Sequence, residues 1–143
     1  NDNNLVIYNM SLEPLNLTKN QQTVLDILES SSEPLKAYTI LFDIQKKGIK
    51  SPLQVYRALD KLIEIGKVHK IESKNSYVAC KHEGCNAKTS TSFLICENCD
   101  SVKELTGNNL FSYFSKQSDK NNFQYRKHSL EIYGLCESCK FKN

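Results

Sequence analysis

The sequence predicts an α+β chain built as two small lobes, and three observations predict it. Three amphipathic helical patterns are followed by two short strand-like runs. A polar, patternless stretch then interrupts the chain at 81–92. Beyond it the spacing Cys-x-x-Cys occurs twice. Three helices and then a hairpin is the order of a winged helix-turn-helix, in which one helix can enter the major groove of DNA. The part after the break reads as a small α/β dimerisation domain stapled by a structural zinc.

Each element has a local cause. Residues 1–16 are Asn-rich with weak periodicity and read as a tail. Thr18 and Gln21 make a T-x-x-Q capping box, which starts a helix on otherwise orphan backbone N–H groups. Val24, Leu25 and Leu28 recur at helical spacing. A second helix is expected over 36–47, with Ala37, Ile40, Leu41 and Ile44 inward and Gly48 as its stop. A third starts at Ser51, with Pro52 at the first helical position and Gln54 closing another capping box. Its stripe is Val55, Leu59, Leu62 and Ile63, and Gly66 ends it. Strands are expected over 68–71 and 76–79, joined by a polar turn at 73–75.

The domains are therefore a tail at 1–16, a winged helix at 17–80, a hinge at 81–92 and a zinc-stapled dimerisation domain at 93–143. The last is expected to hold strands at 93–96 and 102–105, a helix over 109–120 and a longer strand over 123–135. Its strand edges suit pairing with a second copy.

Bulk properties exclude more than they assign. Hydrophobic residues make up 39% of the 143 residues, which suits two small cores that benefit from a metal staple. The longest apolar runs are three or four residues, too short to cross a membrane. The opening residues have neither a basic region nor a long apolar run, so no secretory signal is expected. Net charge is +3, too weak to argue for nucleic acid by itself. Residues 17–80 carry ten Lys/Arg against seven Asp/Glu, so a DNA-binding face has to come from local clustering.

The six cysteines, without a secretory signal, point to a reducing compartment, where paired cysteines are more often metal ligands or redox groups than structural disulfides. Cys96/Cys99 and Cys136/Cys139 are the sharpest signal. Two residues between thiolates let both sulfurs reach one tetrahedral ion, and four thiolates make a closed structural zinc site. The 36 residues between the pairs mean that the ion clamps a whole small domain. A redox Cys-x-x-Cys normally opens a helix in a βαβ setting, whereas strand-like sequence follows Cys99. A looser set, His69, Cys80, His82, Cys85 and Glu104, has no diagnostic spacing, but it falls where the wing meets the second lobe.

The runs PLQVYRALDKLIEIGKVHKIESKNSYVAC, FLICENCDSVKEL and EIYGLCESC resemble the ferric uptake regulator family, in particular its zinc-uptake branch, over about residues 17–140. The resemblance implies a homodimeric cytoplasmic repressor. Zinc would be its corepressor and palindromic operators of zinc-uptake genes its target, with neither a small-molecule substrate nor a membrane partner. Cys96, Cys99, Cys136 and Cys139 match the family's structural zinc ligands. His69, Cys80 and Glu104 match three ligands of its regulatory zinc site. The fourth is commonly a His placed where this chain has Thr89, so His82 or Cys85 is expected to replace it, with His82 slightly preferred on site charge. Cys80 argues for zinc, since a thiolate favours it over hard metals. Tyr38, Tyr56 and Arg57 match DNA-contacting residues, and Gln54 stands where the family often has Thr. Lys36, Lys50 and Lys74 are candidate phosphate contacts.

Two rival readings remain. One is an iron, manganese or peroxide sensor on the same fold. The other is a zinc-dependent enzyme or redox protein, against which no H-E-x-x-H motif or similar base is present.

Overall fold

The structure is a computed structural model that describes residues 16–82, 84–85, 89–105 and 109–141. Of the tail expected at 1–16, all but residue 16 lies outside these residues. Three helices come first: α1 (Lys19–Glu29), α2 (Ala37–Gln45) and α3 (Pro52–Glu64). A two-residue strand, β1 (Leu35–Lys36), precedes α2. The hairpin is β2 (Val68–Ile71) and β3 (Ser76–Ala79), joined by a 3-10 turn over Glu72–Lys74. The second lobe holds β4 (Thr91–Cys96), β5 (Val102–Glu104), α4 (Asn109–Lys120) and β6 (Ser129–Gly134).

The first lobe forms as its local signals dictate. Thr18 and Gln21 make the reciprocal capping box at the start of α1, with Gln21 N–H donating to Thr18 Oγ1 and Thr18 N–H to Gln21 Oε1. The second expected box is absent. Ser51 makes no side-chain cap bond, and Gln54 N–H donates instead to the Ser51 carbonyl at 3.1 Å. Pro52 at the start of α3 still presets the helical φ. Gly48 and Gly66 take left-handed φ values of +92° and +79°, which ends each helix at a residue with no Cβ to object.

One core unites this lobe. Val24, Leu25 and Leu28 of α1 meet Ala37, Ile40 and Ile44 of α2, Val55, Ala58, Leu59 and Leu62 of α3, and Val68 and Tyr77 of the hairpin. Leu41 and Ile63, expected inward, are half-buried at its margin. The wing is a three-stranded antiparallel sheet in the order β1-β3-β2, since Leu35 pairs with Tyr77 and Lys36 with Ser76.

The second lobe has a three-stranded sheet in the order β5-β4-β6, with β4 antiparallel to β5 and parallel to β6. The long strand expected over 123–135 is shorter, at Ser129–Gly134. Residues 123–128 use their side chains otherwise. Tyr125 packs edge-on against Phe111 at 5.0 Å between ring centres, and His128 lies 5.0 Å from Phe114.

The wing's pleat sets how the lobes meet. Side chains alternate across a strand, so Val68 and Tyr77 face the helical core while His69, Ile71 and Val78 face the second lobe. Ile71 and Val78 form a small apolar cluster with Phe93, Ile95 and Val102. The two lobes therefore share a packed seam, and His69 sits in it. Among the described residues no helix is long and apolar enough to cross a membrane.

Candidate metal centres and nucleic-acid face

The first centre is the four-cysteine cluster. β4 ends at Cys96, and a tight turn returns to β5, held by Asp100 N–H to the Cys96 carbonyl at 3.0 Å and Cys96 N–H to the Ser101 carbonyl at 2.9 Å. Asp100 takes a left-handed φ of +61°, which Asp tolerates better than most residues. Parallel pairing puts Gly134 beside Cys96, so the chain leaving β6 delivers Cys136 and Cys139 to the same end of the sheet.

The four sulfurs lie within 4.8 Å of one another. Cys99 Sγ and Cys136 Sγ are 3.7 Å apart, and the edge of a tetrahedron with Zn–S bonds of about 2.3 Å is about 3.8 Å. Cys136 N–H donates to Cys96 Sγ at 3.4 Å, and Asn98 Nδ2 to Cys139 Sγ at 3.3 Å.

Four crowded thiols cannot all ionise unaided. Backbone N–H groups of Cys136 and Cys99 pull the Cys96 thiol down to about 6. Asn98 pulls on Cys139 too, but the neighbouring Cys136 and burial push it up to about 11. A divalent cation resolves that conflict by favouring the thiolate at every position. The residues fit zinc.

The second centre lies in the seam between the lobes. His69 on β2, Cys80 just past β3 and Cys85 in the following loop bring their ligand atoms within 4.8 Å of one another. Cys80 is fixed by its N–H donating to the Lys67 carbonyl at 2.8 Å, across the open end of the hairpin. Cys80 and Cys85 are joined as a disulfide with Cα atoms 7.0 Å apart, just beyond the usual span of about 4.4–6.8 Å.

His69 is only 8% exposed, and its Nε2 is the one buried side-chain nitrogen or oxygen without a hydrogen-bond partner among the described residues. Leaving such an atom unpaired costs about 1–3 kcal/mol. Burial lowers the imidazole's pKa; Glu104 opposes this and His82 reinforces it. A neutral ring with a bare, buried nitrogen beside two sulfurs has the chemistry of a metal ligand.

Glu104 on β5 pairs in register with Phe93, and the Phe93 ring lies 6.3 Å from that of His69. Its carboxylate is 3.0 Å from His82 Nε2. The structure thus gathers His69, Cys80 and Cys85 at one point and sets Glu104 with His82 beside them. No part of the local sequence pattern predicts that division.

A third feature is the exposed face of the helical lobe. Tyr38 on α2 is 69% exposed and Tyr56 on α3 is 47% exposed. Gln54 and Arg57 are exposed on α3 as well. Among the described residues no ion pair or hydrogen bond occupies the Arg57 guanidinium. Lys36 reaches over the Tyr38 ring at 6.0 Å. Lys74 is elsewhere. Its Nζ pairs with Asp100 Oδ1 at 2.5 Å, so it faces the second lobe rather than this surface. That is a tertiary contact which spacing in the sequence does not announce.

A further contact joins the lobes. Ser73 N–H donates to Glu131 Oε1 and Oε2 at 3.2 and 3.3 Å, and the Tyr133 hydroxyl donates to Glu131 Oε2 at 2.6 Å. Sequence reasoning missed these residues, since each looks like an ordinary surface polar group.

A winged helix packed against a second lobe with a four-cysteine cluster, and with ligand-type side chains in the seam, defines a class: regulators that read DNA under the control of a metal. The profile of the ferric uptake regulator family matches residues 13–133, and the chain belongs to that family. It is similar to the zinc uptake regulation protein of Escherichia coli (strain K12), at 36% identity over 124 residues, covering 86% of this chain and 72% of that one. It is also similar to the crystal structure of holo XcZur, at 36% identity and a TM-score of 0.77, covering 87% of this chain and 86% of the other. A zinc uptake regulator complexed with zinc and DNA matches at 32% identity and a TM-score of 0.77, covering 85% and 81%.

Proposed function

We propose that this chain is a zinc-responsive transcriptional repressor. It grips palindromic operator DNA as a homodimer when the seam site is filled, and so controls zinc-uptake genes in the cytoplasm. The observation that carries this reading is the unpartnered Nε2 of His69, buried between wing and second lobe with two cysteine sulfurs beside it. Relatives described as zinc uptake regulators, one of them complexed with zinc and DNA, support it.

Each chain carries one structural and one regulatory zinc in this reading. Cys96, Cys99, Cys136 and Cys139 hold the structural ion. His69, Cys80 and Cys85 hold the regulatory one, with Glu104 as fourth donor and His82 as the hydrogen-bond partner that orients its carboxylate. Two thiolates make this seam softer than a site with one, which favours zinc over manganese or ferrous iron. When bound, zinc supplies one positive centre that donors from both lobes share.

The chain's own residues do the rest. His69 belongs to the wing and Glu104 to the second lobe, so fixing both fixes the angle between lobes. α3 is packed rigidly against the wing through the core shared by Leu62 and Val68. It is carried with that angle and presents Gln54, Tyr56 and Arg57 to the major groove, with Tyr38 alongside on α2. Arg57 can fork onto guanine or phosphate. The ligand acts only through its better fit to the closed arrangement.

Dimerisation is assigned to the second lobe. Leu94 and Ile132 pair side by side on an exposed sheet face, and among the described residues nothing pairs with the outer edges of β5 and β6. A groove of about 460 Å³ runs along that face past Leu135.

The test is a titration of zinc, manganese and ferrous iron into dimer whose seam is empty, with promoter fragments of zinc-uptake genes as probe. Zinc is expected to raise affinity about ten-fold or more at fixed salt. An equal response to manganese would reassign the signal, and no response to any metal would reject the reading.

A further inference from the structure

We infer that Cys80 and Cys85 form a reversible disulfide switch, through which a small-molecule disulfide empties the seam and releases the repressor from DNA. The inference rests on the reading of this seam as the regulatory site, and it adds a second input to it.

Three observations carry it. The two cysteines are five residues apart, and the structure joins them. Their sulfurs also converge on His69, so the partners needed for a disulfide are the groups proposed to hold the ion. Both line an open hollow of about 240 Å³ with Gly66, Lys67, His82 and Gly84, which gives a small reagent a path to the sulfurs.

The other four cysteines serve the clamp. Cys96 and Cys139 are buried at 4% exposure, Cys136 is half-buried and Cys99 is exposed; all four converge on one point, and their oxidation would dismantle the clamp of the second lobe. Cys80 and Cys85 belong to neither apolar core. Joining them takes two of the ion's donors away, leaving His69 and Glu104, and leaves both lobes folded.

The step balances in two exchanges. One seam thiolate attacks a sulfur of the small disulfide, which forms a mixed disulfide and expels one small thiolate. The second seam thiolate attacks the protein sulfur of that mixed disulfide and expels the other. Two electrons pass from the protein sulfurs to the reagent, the S–S bond of the reagent is broken, one forms between Cys80 and Cys85, and the divalent ion leaves. A reducing thiol runs the sequence backwards.

The experiment treats the fully loaded dimer with glutathione disulfide at increasing ratios. It then blocks remaining thiols by alkylation and maps the pairs by peptide mass. Zinc released and DNA affinity are read on the same samples. The expected result is a Cys80–Cys85 pair forming before any pair within the four-cysteine cluster. The seam zinc leaves with it, and DNA affinity falls about ten-fold or more. Dithiothreitol with zinc restores all three. In the Cys85→Ser variant, which removes the second sulfur, the oxidant is expected to stop at a mixed disulfide on Cys80, with no pair formed from Cys80 within the chain.

Pairing first within the cluster, a seam pair that leaves zinc and DNA binding unchanged, or no mixed disulfide on Cys80 in Cys85→Ser would each overturn the switch. Failure of the underlying reading is distinguishable, since reduced dimer would then bind DNA alike with and without zinc.

Discussion

Lys74 at the wing turn and Asp100 in the first cysteine turn form an ion pair between the lobes, with Nζ and Oδ1 2.5 Å apart. The wing tip is thereby tied to the segment that carries the four-cysteine clamp. Glu131 takes the Ser73 N–H nearby, so the closed arrangement has protein contacts of its own.

The ion pair has a pH signature. The Lys74 side chain hydrogen-bonds to Asp100 and holds its carboxyl below the ordinary value. A depressed folded pKa gives a contribution that is complete above the unfolded value, about 3.9, and is lost as pH falls through the folded one. Carbon-detected NMR titration is expected to place the Asp100 midpoint lower in the natural chain than in Lys74→Ala. Identical midpoints would show that the pair does not form in solution. Both groups are exposed, so Lys74→Ala is expected to change stability little while weakening DNA binding a few-fold when zinc is limiting.

His69→Ala removes the buried nitrogen without touching the helical core. The variant is expected to keep the zinc of the cysteine cluster, lose the seam zinc and bind DNA about ten-fold or more weakly at saturating zinc. Metal content by mass spectrometry and anisotropy on the same sample check both halves.

Cys96→Ser, or a strong chelator, strikes the clamp. Among the described residues the second lobe supplies Phe93, Ile95 and the half-buried Val102 to a small apolar cluster that Ile71 and Val78 of the wing complete, so its folding depends on the ion. Circular dichroism is expected to show loss of sheet signal with the three-helix signal retained, and sedimentation is expected to show loss of the dimer.

Arg57→Ala and Leu59→Ala sit two residues apart on α3 and separate reading from folding. Arg57 is exposed, so its loss is expected to change stability by no more than about 0.5 kcal/mol while weakening operator binding. Leu59 is fully buried, and its truncation is expected to cost about 2–5 kcal/mol. Thermal melts with operator titrations on both variants check the contrast.

What the sequence made legible is what local chemistry dictates. The Thr18–Gln21 box, the apolar stripes of the helices and the twin Cys-x-x-Cys spacing are each set within a few residues, and the fold follows them. β1 was invisible because two residues become a strand only through pairing with Ser76 and Tyr77 far along the chain. The strand expected from 123 was misread because Phe123 and Tyr125 alternate like strand residues, whereas Tyr125 packs on α4 and bonds to His128. At the seam, His69, Cys80 and Glu104 came from resemblance. The placement of Cys85 with His69, and of His82 with Glu104, depends on a loop path that no short pattern encodes.

The most direct test of the central claim compares two dimers at one salt concentration, one with both centres loaded and one with the seam emptied while the cysteine cluster keeps its zinc. The account predicts that the loaded dimer holds promoter DNA about ten-fold or more tightly. Equal affinity, with both samples folded and dimeric, would contradict it.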